Sequence, residues 1–193
     1  MLIVESDRTA VEQSLFAGEL RCPNCRGELR PWSSARMRAV REHGGETALT
    51  PRRSRCSSCK KTHVLLPDTT LCRRRDALAS IGAALLANVA GEGRRRIGAA
   101  LFVHPDTVRG WLRRFAAGAE RWRAHCWAWA HALDASLPGI EPAGSRFADA
   151  LHAIGLAVAA ATRRFGPRSG WGWVAVITAG RLLSNTSSPS PAP

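Results

Sequence analysis

Apolar residues follow two different periods along this chain. Leu2, Ile3 and Val4 form a short apolar run that predicts a strand, and Val11, Leu15, Phe16 and Leu20 then recur at helical spacing, predicting a helix over about 9–20. From Cys22 to about Pro67 the helical period is lost. Turn signals at "RPW" and "HGGE" predict irregular or β structure there. Asp76 then opens a long apolar helix, "DALASIGAALLANVA", which Gly91–Gly93 ends. A short helix is expected over 94–101. A second begins at Asp106 or Thr107, and the chain stays helical from Ala116 to about 137. "PGIEPAG" breaks the pattern, a helix follows over about 146–165, and a last apolar stretch runs from Trp173 to Leu183. The tail 184–193, "SNTSSPSPAP" from Ser184 on, has nothing to bury and is expected to be disordered.

Charge sharpens this outline. The chain of 193 residues has a formal net charge of +13, and all but two of its 28 basic residues are arginine. Arginine makes planar, bidentate contacts with phosphates and guanine edges, so the bias suits nucleic acid better than general solubility. The surplus is uneven: residues 73–123 hold 11 basic and 4 acidic side chains, against 12 and 8 in 1–72 and 5 and 3 in 124–193. That local excess is what a phosphate-facing segment requires. "MLIV" is too short for a signal peptide, and the run "AIGLAVAAAT" falls short of the roughly 20 residues of a membrane span. A soluble, cytoplasmic and nucleoid-associated protein with no membrane partner is therefore expected, and paired cysteines in such a compartment more often hold metal than disulfides.

Two C-x2-C pairs stand out, "CPNC" at Cys22 and Cys25 and "CSSC" at Cys56 and Cys59. Each pair aims two thiolates at one point, and two pairs complete a tetrahedral shell, so one structural zinc is expected. The 30 intervening residues exceed the compact spacing but can form a long hairpin turning at Gly44–Gly45, and Gly27 permits the knuckle turn. His63 and Cys72 lie near enough in sequence to compete as ligands, whereas Cys126, among Trp122, Trp127 and Trp129, reads as a core thiol.

The segment "RRRIGAALFVHPDTVRGWLRRF" fits the steric pattern of a helix-turn-helix. Ile97, Gly98 and Leu101 would serve the first helix, Val103 the turn, and Val108 and Trp111 the second helix, whose start suits Pro105 with Asp106 or Thr107 as cap. His104, Asp106, Thr107, Arg109, Gly110 and Arg113 then fall on the outer face, with Arg109 and Arg113 the candidates for groove contacts. Arg94, Arg95 and Arg96 are placed for phosphates, and Arg114 for either role. Phe102 occupies the turn position that usually takes a left-handed glycine, so the turn could be reshaped and the face displaced by a residue.

These motifs together, "PRRSRCSSCKKTHVLLP" after the first cysteine pair and then "TVRGWLRRF", resemble the N-terminal region of bacterial insertion-sequence transposases. They resemble more closely an actinobacterial family of ribbon-plus-helix-turn-helix proteins associated with mobile elements. The likeness covers about residues 2–120. It implies double-stranded DNA as partner, with a transposase or integrase as a second candidate. The transposases' catalytic carboxylates do not carry over: beyond Glu120 the acids are Asp134, Glu141 and Asp149, none on a predicted strand. The expected fold is thus α+β, mostly α. A zinc ribbon with its leading helix spans 1–72, a helix-turn-helix domain 73–118, and C-terminal helices 119–183 that could form a homodimer seam. The expected function is sequence-specific DNA binding through the helix 106–115, as a transcriptional regulator or a transposition accessory factor, and not an enzyme. The alternatives are a module docking a transposase or polymerase subunit, or a degenerate transposase fragment.

Overall fold

The computed structural model describes residues 1–184 except His43, Pro138, Ile140 and Glu141. The tail expected to be disordered lies outside the described residues but for Ser184, as do parts of the 138–144 break. The architecture is α+β. A four-stranded sheet runs in the order β1-β6-β5-β2, where β1 is Leu2–Val4, β2 Leu29–Ser34, β5 Arg52–Cys56 and β6 Thr62–Pro67. β1 lies parallel to β6, and the other pairs are antiparallel. Between β2 and β5 the chain makes a separate hairpin of β3 (Arg38–Glu42) and β4 (Gly45–Leu49).

The first helix, α1 (Arg8–Phe16), is capped by the Asp7 carboxylate on the amide of Thr9. It stops short of Leu20 because Gly18, at φ 71°, lets the amides of Gly18 and Glu19 turn back onto the carbonyls of Leu15 and Ser14. Val11 and Leu15 pack with Val4, Cys22, Leu29, Cys56 and Leu65 into a small core beneath the sheet.

The helices form the larger core: α2 (Leu78–Val89), α3 (Arg94–Leu101), α4 (Pro105–Leu133), α5 (Arg146–Phe165) and α6 (Gly170–Ile177). Asp76 does not open α2 as expected. Its backbone bridges to Arg41 of the hairpin, its carboxylate pairs with the Arg41 guanidinium at 2.7 Å, and the amide of Leu78 finds the Thr69 carbonyl instead. The last apolar stretch is helical only through Ile177; Thr178 ends α6, and the chain turns at Ala179 and Gly180, both at positive φ.

The boundary expected at 118/119 also falls differently, inside one unbroken helix. α4 continues for 29 residues because Phe115, Ala119, Trp122, Cys126 and Ala130 keep a single buried stripe in phase. Its C-terminal half packs along α5, and the Trp122 indole N–H donates to the carbonyl of Leu182 at 2.7 Å. The apolar positions of α5, among them Ala153, Ile154, Ala157 and Ala161, are used within the chain. Several bonds cross the boundary expected at residue 72. The amide of Cys72 donates to the Gly180 carbonyl, Asp68 pairs with Arg168 at 2.8 Å, and the hairpin is bonded to the segment that leads into α2. No helix among the described residues is long and apolar enough to cross a membrane.

Candidate metal centre and arginine-rich face

The sheet brings the four paired cysteines together. Their sulfurs all lie within 4.8 Å of one another, with Cys22 Sγ to Cys59 Sγ at 3.7 Å and Cys25 Sγ to Cys56 Sγ at 3.4 Å. Four sulfurs about 2.3 Å from a central ion would be about 3.8 Å apart, so the cluster has tetrahedral dimensions and is far too open for disulfides. All six cysteines are free. Cys22, Cys25, Cys56 and Cys59 could hold one metal ion.

The two knuckles share a backbone plan. In each, the residue after the second cysteine is left-handed, Arg26 at φ 62° and Lys60 at φ 61°. In each, the amide of the first cysteine reaches the carbonyl five residues on: Cys22 to Gly27 at 2.8 Å, and Cys56 to Lys61 at 2.9 Å. Gly27 therefore acts otherwise than expected. It does not supply the left-handed turn; it supplies space, since a Cβ there would lie 2.4 Å from Ser58 Oγ and 3.2 Å from Cys56 Sγ.

The thiols are electrostatically unequal. The backbone N–H of Gly27 favours the Cys25 thiolate, but hydrogen bonds shared with the other cysteines outweigh it and push this thiol up to about 11. Burial opposes ionisation of Cys56, yet the N–H groups of Cys59 and Ser58 and the neighbouring thiols bring it down to about 6. His63, buried on β6, places Nε2 3.3 Å from Cys22 Sγ, and burial, then the N-terminal and Lys61 charges, lower its pKa. A neutral imidazole is suited to donate an N–H to a metal-bound thiolate from outside the ligand set. Cys72 lies elsewhere, against the carbonyl of Ala179 at 3.6 Å, and Cys126 is a buried core thiol whose pKa burial pushes up to about 12.

The second feature is the junction of α3 and α4. Phe102 is left-handed, φ 54° and ψ 40°, despite its Cβ, the conformation that glycine adopts more readily. The helices approach closely at Gly98, where a Cβ would lie 2.6 Å from the Val103 carbonyl. Ile97, Leu101, Val108 and Trp111 are buried, and Val103 partly so. The N-cap of α4 is His104, whose Nδ1 accepts from the amide of Asp106 at 3.3 Å, ahead of Pro105; neither Asp106 nor Thr107 caps it.

His104, Asp106, Arg109 and Arg113 are exposed, and Thr107, Gly110 and Arg114 partly so. Asp106 contacts Arg109 at 3.3 Å, while the Arg114 guanidinium folds back to donate to the Gly110 carbonyl at 3.1 Å. Arg94, Arg95 and Arg96 stand exposed in the first turn of α3, which has no acidic residue. Sequence reasoning missed Arg41, Arg73, Arg74 and Arg75, which line a cleft beside Thr107 and Gly110. The signal was present: the charge peak begins at Arg73. Of the C-terminal acids, Asp134 pairs with Arg163 at 2.7 Å, Asp149 accepts from the amide of Ala143, and Glu141 lies outside the described residues.

A family model described as a domain of unknown function (DUF6431) matches residues 22–99. The match covers less than half of the chain. It runs from the first cysteine of the quartet through the hairpin and α2 into α3, and stops before α4. No curated protein and no solved structure matches the chain.

Proposed function

We propose that this chain is a zinc-stabilised protein that binds double-stranded DNA in a sequence-specific way, with α3 and α4 as a helix-turn-helix and the first three turns of α4 as its reading helix. The observation that carries this reading is the division of those turns. Val108, Trp111 and Phe115 are buried, while Arg109 and Arg113, one turn apart, project to solvent. Four thiolates leave no open position on the ion, so the zinc acts as a structural brace rather than a catalyst.

Readout follows from the side-chain chemistry. Guanidinium groups at 109 and 113 can each grip guanine O6 and N7 in the major groove, and Gly110, without a side chain, lets the helix approach the base edges. The contact from Asp106 restricts Arg109 before DNA arrives, which lowers the ordering cost of binding. The arginines at 94–96 crowd the positive end of α3, where cations are unfavourable for the helix itself, and that arrangement supports a phosphate-binding role. The biological setting this reading favours is a transcriptional regulator or an accessory factor of a mobile element, acting beside a transposase or integrase. If the protein works as a dimer, α5 has its outer stripe of His152, Gly155 and Ala159 and the exposed Phe165 at its C-terminal end to offer.

Binding of a duplex library, followed by anisotropy titration at several salt concentrations, tests the reading. We expect recovery of an enriched site and an affinity that falls steeply with salt. Capture of a protein partner with no measurable DNA affinity would instead favour the docking-module reading, to which the exposed Trp32 and Met37 of the ribbon would then belong.

A further inference from the structure

We propose that Arg41, Arg73, Arg74, Arg75 and Arg114 form a clamp for a backbone phosphate of DNA on one flank of the reading helix. The inference rests on the DNA-binding reading above and adds a second contact surface to it, contributed by the ribbon hairpin and the segment before α2.

These side chains line one cleft of about 300 Å³, floored by Thr107, Gly110 and Trp111 of α4. Three consecutive arginines would alternate in direction along an extended strand. Here the backbone turns left-handed at Arg73, φ 59°, and all three contribute to the same cavity. A residue with a β-carbon at that φ costs about 1–2 kcal/mol, and strain of this kind is retained where surrounding structure enforces it. The enforcement is visible. The amide of Arg41 donates to the Arg75 carbonyl, the amide of Ala77 donates to the Arg41 carbonyl, and the amide of Cys72 is fixed to Gly180.

Five arginines and two acidic residues line the cleft, and both acidic residues contact arginines already. Asp76 is buried against Arg41, and Asp106 contacts Arg109 outside the cleft. Arg75 has a loose 3.8 Å contact with exposed Glu46. Arg73 makes no ion pair among the described residues, and Arg74 and Arg114 donate to the carbonyls of Leu183 and Gly110 rather than to carboxylates. The Nε of Arg74 is buried without a hydrogen-bond partner among the described residues. Burial, and next the nearby Arg114 charge, lower the Arg74 pKa, so like charges are held together with too little anionic compensation. Such a concentration is stabilised by an anion with several acceptor oxygens.

Helical geometry relates the clamp to the reading face. At 100° per residue, Thr107, Gly110 and Arg114 lie on one side of the exposed arc of α4, and Arg109 and Arg113 on the other. A helix seated in the major groove has phosphates along both flanks, so a clamp on the 107–114 side would fix its depth and tilt without reading bases.

The test is DNA affinity of the full chain on its selected duplex and on a scrambled one, across salt concentrations, for wild type, Arg73→Ala/Arg75→Ala, Arg73→Lys/Arg75→Lys, and a control, Arg163→Ala/Arg164→Ala. Thermal melting checks that each variant folds. We expect the alanine pair to weaken both duplexes alike, by about tenfold, and to reduce the salt slope by about 0.9, the contribution of the one phosphate no longer neutralised. The lysine pair should retain the slope, and the control should match wild type. An alanine pair that binds like wild type, or a control that loses as much, would overturn the clamp. Were Arg109→Ala/Arg113→Ala to weaken binding meanwhile, the DNA-binding reading would stand without it. Absence of duplex binding by wild type would overturn both.

Discussion

Phe102 carries a backbone cost that few side chains accept, and it does so while three-quarters exposed. Replacing it by glycine removes the clash between Cβ and the carbonyl oxygen and forfeits little packing. Phe102→Gly should therefore raise the unfolding free energy by about 1 kcal/mol, read by denaturant titration. A decrease instead would mean that the ring's approach to Gly44 of the hairpin matters more than the strain. His63 offers a second test at this scale. As a donor to Cys22 rather than a ligand, its removal in His63→Ala should lower metal affinity about 10–100-fold and leave one equivalent bound at saturation. The sequence leaves both residues ambiguous for a sound reason: spacing locates a histidine near a cysteine pair but does not say whether its nitrogen faces the ion or a sulfur. His104 as cap and Arg26 as the left-handed knuckle residue are illegible in the same way, since each depends on a rotamer or dihedral that the neighbouring fold decides.

At the scale of elements, apolar period locates the helices well, because α2 to α6 each bury a stripe in one core. It locates their ends poorly. The Asp76 carboxylate looks like a cap until the hairpin arrives to take it, and α4 looks divisible at 118 until Gly118 is found against the Trp122 indole. The β3–β4 hairpin turns one residue earlier than the expected Gly44–Gly45, since Gly45 already pairs with Glu42, and the docking of that hairpin beside the α3–α4 turn is a long-range contact that no local pattern encodes. The bond between Asp68 and Arg168 is another such tie, joining the end of β6 to the residues before α6. Arg168 also stacks 5.0 Å from the Trp173 ring. Arg168→Ala strands a buried carboxylate and should cost about 2 kcal/mol of stability, measured by thermal or chemical unfolding, whereas exposed Arg8→Ala should cost little.

At the scale of the whole molecule, the hairpin links the four-cysteine cluster to the arginine-rich cleft. The strands that hold Cys56 also anchor β6, and the loop between the cysteine pairs delivers Arg41 to the cleft. Metal loading must displace the proton that Cys25 retains up to about 11, whereas Cys56 is already ionised above about 6. Uptake therefore releases protons, and apparent affinity should rise with pH; competition with a chromophoric chelator at pH 6.5 and 8 reads the difference. On the proposed reading, stripping the ion should loosen the cysteine-bearing sheet and weaken DNA binding by about tenfold as the proposed clamp loses its support, while the helical circular dichroism signal largely survives.

Base reading by the exposed flank of the first turns of α4 is the central proposal. The decisive quantity is the ratio of affinities for the selected and the scrambled duplex, measured at one salt concentration for wild type and for Arg109→Ala/Arg113→Ala. Two bidentate guanine contacts at about 1–3 kcal/mol each predict that this ratio collapses by about 30-fold or more in the variant. A variant that discriminates between the two duplexes as well as wild type does would show that this helix does not read the sequence.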